Sequence, residues 1–180
     1  MAAGTVVGGV RLPFYIAPVR APILLLSLLA LAIPAHAACG SPPAPRVDWR
    51  RCLLDGQELA GADLTGAVLR DASLSRAKLA GAQLDGVDAR NARFGFADLT
   101  EADLEGATLM GADMTRTVLR GARLRGADLR RARLFAADLT GADLTAAQIE
   151  GADLLNATLD GARWTDGERI CGAGSVGGCR

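Results

Sequence analysis

At 180 residues the chain is long enough for one domain, and its 20 Lys and Arg balance its 20 Asp and Glu, leaving no bulk field to draw nucleic acid or cations. Aromatic residues make up 4% against 50% hydrophobic residues, mostly Ala and Leu. That excludes an ordinary ring-filled globular core and suggests a repetitive architecture.

The first element is a leader. Between Met1 and Ala38 the only charges are Arg11 and Arg20, and an apolar run from Ala21 to Ile33 comes after them. Pro34 ends the run, and Ala35-His36-Ala37 reads as a small-residue cleavage site. A helix of that run reaches only about 20 Å, short of the roughly 30 Å hydrocarbon layer. Residues 1–37 are therefore expected to be a signal peptide, with the mature chain starting at Ala38 and carrying no transmembrane helix. An uncleaved anchor and lipidation at Cys39 are the alternatives. Small residues precede Cys39, as bacterial lipoproteins require, but His36 stands where those proteins usually carry Leu. Cleavage would remove the only histidine, His36, and the only tyrosine, Tyr15.

Residues 38–51 form a short segment expected to act as an N-terminal cap, with Trp49 lying over the start of the repeats. From Cys52 the sequence repeats every five residues. Leu54, Leu59, Leu64 and their successors continue in register to Trp164, 23 positions in all, with Ala89, Phe94, Met114 and Ile149 among the replacements. From Ala62 to Ala162 an Ala lies two residues before each centre, with only Val87 and Thr117 departing. A polar residue, often Asp, sits between them, and Gly is frequent two residues after the centre. A period of five matches neither a helix nor a flat strand. It needs a backbone that turns a corner once per repeat, so that both apolar positions point inward and glycine serves the turns.

Ala62-Asp63-Leu64-Thr65-Gly66 and Ala142-Asp143-Leu144-Thr145-Ala146 carry the motif A-(D/N)-L-x-x. The chain thus resembles the pentapeptide-repeat family. The resemblance implies an all-β fold, a right-handed quadrilateral β-helix with four repeats per coil. Residues 52–166 would then make about 5.75 coils and a rod roughly 28 Å long at strand spacing. Stacked repeats need covered ends. At the C-terminal end the cover would be Trp164 with the tail, residues 167–180, closed by a disulfide.

Four cysteines lie beyond the leader: Cys39, Cys52, Cys171 and Cys179. A disulfide needs Cα atoms within about 7 Å. On a rod of the implied length only Cys39–Cys52 and Cys171–Cys179 are feasible, each stapling one end. Zinc or redox pairs are the alternatives, but neither spacing is C-x-x-C and no histidine remains to help. Disulfides and a leader agree on an oxidising compartment, periplasmic or extracellular.

Residues twenty apart should stack. The column Ser73, Arg93, Asp113, Arg133, Asp153 alternates in sign, which reads as ladder stability. One face carries Arg76, Arg93, Phe96, Arg116, Arg133, Phe135 and Leu155 outward, and large apolar residues beside arginines resemble a binding patch. An adjacent row stacks Arg70, Arg90 and Arg130.

The expected function is an exported, non-enzymatic structural or protein-interaction module of the cell envelope. Its partner would be an unknown protein or envelope component, and no nucleic acid is expected. No catalytic, cofactor or metal site is read, because a processed chain without His or Tyr lacks most acid–base and nucleophile options. Some family members bind DNA gyrase through stacked acidic faces that imitate duplex phosphates. That alternative applies if the chain is cytoplasmic, but Arg93, Arg123 and Arg133 interrupt the acidic columns here. A lipid-anchored envelope protein held through Cys39 is the other alternative.

Overall fold

The computed structural model describes residues 39–180, so the leader and its cleavage site lie outside the described residues. Each repeat makes one side of a square. The residue before each centre pairs in parallel with the residue twenty positions on, unbroken from Asp48↔Val68 to Asp143↔Arg163. Hydrogen bonds run both ways across each pair, as in Leu64 N–H to the Gln83 carbonyl and Gln83 N–H to the Ala62 carbonyl. The result is a right-handed quadrilateral β-helix.

Every corner is a β-turn. The Ala67 N–H donates to the Leu64 carbonyl, and the same bond recurs repeat after repeat. The residue two past the centre has φ between +54° and +71° in every repeat from Arg46 to Gly161. Positive φ at the third turn residue alone marks a type II turn, which favours glycine there. The Asp of the motif serves the same corner. Asp63 accepts from the Thr65 N–H, and Asp98, Asp103, Asp113, Asp128, Asp138, Asp143 and Asp153 do the same two residues on. This side-chain bond holds a turn N–H that the sheet cannot reach.

The interior is a stack of Leu and Ala, nearly all fully buried from Leu64 to Leu144. Where Phe94 takes the Leu position, the preceding centre is Ala89, so the coil exchanges one large and one small side chain. Thr117 replaces the expected Ala without leaving a buried polar group, because its hydroxyl donates to the Phe94 carbonyl at 2.8 Å.

The repeat geometry begins before Cys52, with a first corner at Arg46. Asp48 already pairs with Val68, and Trp49 is the first centre, 2% exposed, within the stretch expected to be only a cap. Cys39 and Cys52 are bonded there, with Cα atoms 5.4 Å apart. At the other end the tail folds back along the last coil. Val176 pairs antiparallel with Thr158, and Ile170 with Arg163. Cys171 and Cys179 are bonded, with Cα atoms 4.8 Å apart, and Ser175 is buried. The tail thus covers two sides of a parallel edge that would otherwise invite further strands.

Candidate functional site

The four sides carry different chemistry. One, the Asp88 side, stacks Asp48, Val68, Asp88, Thr108, Asp128 and Gln148. The next, the Arg93 side, stacks Leu53, Ser73, Arg93, Asp113, Arg133 and Asp153. The expected patch lies on the Arg93 side and the corner immediately after it.

Like the corner before it, with Arg51, Asp71, Asn91 and Arg131, that corner carries side chains at most of its left-handed positions. Its left-handed positions are Gly56, then Arg76, Phe96, Arg116, Ala136 and Asn156, with φ of 59°, 60°, 55°, 54° and 61° for the last five. A Cβ in this conformation costs about 1 kcal/mol or more per residue, which glycine avoids. On the next corner along the chain only Glu101 replaces glycine between Gly61 and Gly161. The Phe96 corner thus carries side chains where the backbone would favour none, repeatedly and in one row. The corner through Asp71 and Asn91 shares that strain, so what distinguishes the Phe96 corner is the exposed ring and the arginines it holds.

Phe96 is 52% exposed and sits between arginines from the coil on either side. The Arg76 guanidinium lies 5.8 Å from the ring centroid and that of Arg116 5.7 Å. Both are cation–π contacts, which hold flexible arginines in place. Beside the ring is a concavity of about 430 Å³, lined by Ser75, Arg76, Arg93, Gly95, Phe96, Asp113, Thr115 and Arg133. Four of the seven expected patch residues line it, and Arg116 borders it through Phe96. Phe135 and Leu155 do not line it. They come after Thr115 along the same row, Phe135 half-buried and Leu155 61% exposed.

Electrostatics separate the two sides. Arg90 reaches Asp88 at 2.8 Å and Arg130 reaches Asp128 at 2.7 Å, each two residues along the same turn, and Arg70 joins Asp88 from the coil before. The Arg90 and Arg130 side chains hold Asp88 and Asp128 below the usual carboxylate range by hydrogen bonding. The arginine row beside the patch is therefore ion-paired to its own side. Arg76, Arg93 and Arg116 have no carboxylate within 4 Å among the described residues, and Arg133 meets Asp113 only at 3.9 Å. The sign-alternating column is thus a loose ladder, whereas Arg123 and Asp103 on the far side close at 3.0 Å.

Gly95 was not among the expected residues. Its signal is the row it interrupts: Asp55, Ser75, Thr115, Phe135 and Leu155 occupy the equivalent positions. Among the described residues no group of three or more His, Cys, Asp or Glu is placed to hold a metal ion. No helix among them is long and apolar enough to cross a membrane.

The profile of the family "Pentapeptide repeats (8 copies)" matches residues 58–95, 97–134 and 127–163. Similar solved structures include a pentapeptide-repeat protein from the Arabidopsis thaliana thylakoid lumen, 28% identical, covering 61% of this chain and 69% of that one, with a TM-score of 0.43. HetL, a pentapeptide-repeat protein involved in heterocyst differentiation regulation in the cyanobacterium Nostoc, is 28% identical over 69% of this chain and 75% of its own, TM-score 0.35. QnrB1, a plasmid-mediated fluoroquinolone resistance protein, is 20% identical over 62% and 70%, TM-score 0.42. Comparison with curated proteins finds no match.

Proposed function

This chain belongs to the pentapeptide-repeat family, and from that premise we propose that it is an exported, non-enzymatic interaction module of the cell envelope that meets its partner with the Phe96 corner. The observation that carries the reading is the row Arg76–Phe96–Arg116, left-handed at each position, with a half-exposed ring and arginines that no carboxylate neutralises. Exposed aromatic and arginine side chains that are already held in place are what interfaces use as anchors.

Export rests on the leader pattern and on the two bonded cysteine pairs, since such bonds persist in oxidising compartments. The Cys39–Cys52 bond argues against a lipid anchor, which would occupy the same Cys39 sulfur. The recognition reading is supported by the lining of the concavity, where arginines and an aromatic edge meet two hydroxyls and the Asp113 carboxylate.

Intact mass of the protein isolated from its native cells without reductant tests this. The reading expects a chain beginning at Ala38 that gains four hydrogens on reduction, two for each bonded pair. A full-length chain with four free thiols would overturn export and reopen the gyrase-binding alternative. A lipid-sized excess on Cys39 would make it an anchored rod.

A further inference from the structure

Accepting the reading that the Phe96 corner meets a partner, we infer that the partner element is an acidic amphipathic α-helix, laid along the rod with carboxylates two turns apart against the arginine rows and an apolar side chain in the Gly95 recess.

The backbone rules out strand addition at this place. Ser73, Arg93 and Asp113 each donate to the preceding coil, and Leu74, Phe94 and Met114 donate to the next, so no edge is open in the middle of the rod. Recognition here is by side chains alone.

Their spacing selects the secondary structure. Arg76 and Arg116 stand two coils apart, and so do Arg93 and Arg133, which is about 9.6 Å at strand spacing. Seven residues of α-helix rise about 10.5 Å and return to the same face. An extended strand laid the same way repeats a face at about 6.6 Å and 13 Å, and matches neither row. From Ser75 to Leu155 the row spans four coils, about 19 Å, which a helix of roughly 13 residues covers.

Gly95 supplies the recess. It is absent from the positive-φ positions, so its backbone does not require glycine. An added Cβ would meet only the Thr115 carbonyl oxygen, at 3.8 Å, so packing does not require it either. What its missing side chain provides is the concavity beside Phe96. Phe135 and Leu155 continue an apolar row past the arginines, which a bare polyanion would leave uncovered. A sugar chain would stack on the Phe96 ring, but guanidiniums from both neighbouring coils lie over it.

The test is fluorescence anisotropy with the full disulfide-bonded chain. The probe is a labelled, covalently stapled helical peptide with Glu at i and i+7 and Leu between, beside a stapled peptide of the same composition in shuffled order. The patterned peptide should bind at least about tenfold more tightly than the shuffled one, and should weaken with salt. Gly95→Leu, which fits the backbone and whose folding circular dichroism confirms, should weaken it by about tenfold or more. Equal binding of the two peptides, or a Gly95→Leu variant that binds as well as the parent, overturns the inference. Binding of polygalacturonate but not of the patterned peptide overturns the helix while leaving the corner as the partner site. Loss of the corner itself would show in photocrosslinking at position 96, which the peptides do not enter.

Discussion

The Asp88 side and the Arg93 side share every coil, every corner geometry and one core, yet they present opposite surfaces. On the first, Arg50, Arg70, Arg90 and Arg130 each find a carboxylate two residues away or on the next coil, so the charge of that row closes on itself, while Arg51 and Arg131 at its corner stand outside those pairs. On the second, Arg76 and Arg116 meet an aromatic edge in place of an acid, and Arg93 lines a recess that Asp113 shares without closing an ion pair to it. In a solenoid the scaffold is indifferent to what the outward positions carry. A corner that holds an exposed ring between arginines from the coils on either side is therefore the informative one.

The largest effect would break the comparison by removing what both sides share. Leu104 is fully buried, and Leu104→Asp places an unpaired carboxylate in a dry stack. Thermal unfolding monitored by circular dichroism should find no cooperative transition, or one tens of degrees lower. A normal melting temperature would refute the inward assignment on which both sides depend.

A smaller effect should separate the sides. Asp88→Asn removes the charge and one of the two acceptor oxygens that Arg70 and Arg90 share, and should lower the melting temperature by a few degrees, whereas Arg93→Gln should leave it unchanged. Acid reports the same asymmetry. Asp88 and Asp128 have folded pKa values below their unfolded ones, so they bind fewer protons in the folded state. Their contribution is complete above the unfolded value of about 4 and disappears as pH falls through the folded values. Melting measured below about pH 4 should therefore show the parent losing more stability than Asp88→Asn. Identical acid profiles would mean that these pairs contribute nothing.

The smallest effect sharpens the functional side. Phe96→Ala with Phe135→Ala should change the melting temperature by a few degrees at most, with most of the change from half-buried Phe135. A large loss from Phe96→Ala alone would make the ring structural.

The inward rows are legible in the sequence because a five-residue spacing leaves the backbone no other way to hide both Leu and Ala. The position of Phe96 beside Arg76 and Arg116 is legible for the same reason, since twenty-residue stacking brings them to one corner. The pairing of Asp88 with Arg90 is not, because stacking arguments look along a column and this contact turns a corner within one repeat. Gly95 escapes for a related reason: a glycine in a glycine-rich repeat draws notice only once its position is known to need none. The tail is harder still. Nothing periodic in Gly172 to Gly178 announces the antiparallel pairing of Ile170 and Val176, which depends on the last coil being there to receive it.

The most direct test of the account places a photoreactive benzoylphenylalanine at position 96 and, in a separate strain, at exposed position 130 on the Asp88 side, and irradiates intact cells. The account predicts a discrete adduct from position 96 that disappears when Arg76 and Arg116 are both changed to Glu, and none from position 130. Equal labelling from the two positions, or none from position 96, would contradict the claim that the Phe96 corner is where this rod meets its partner.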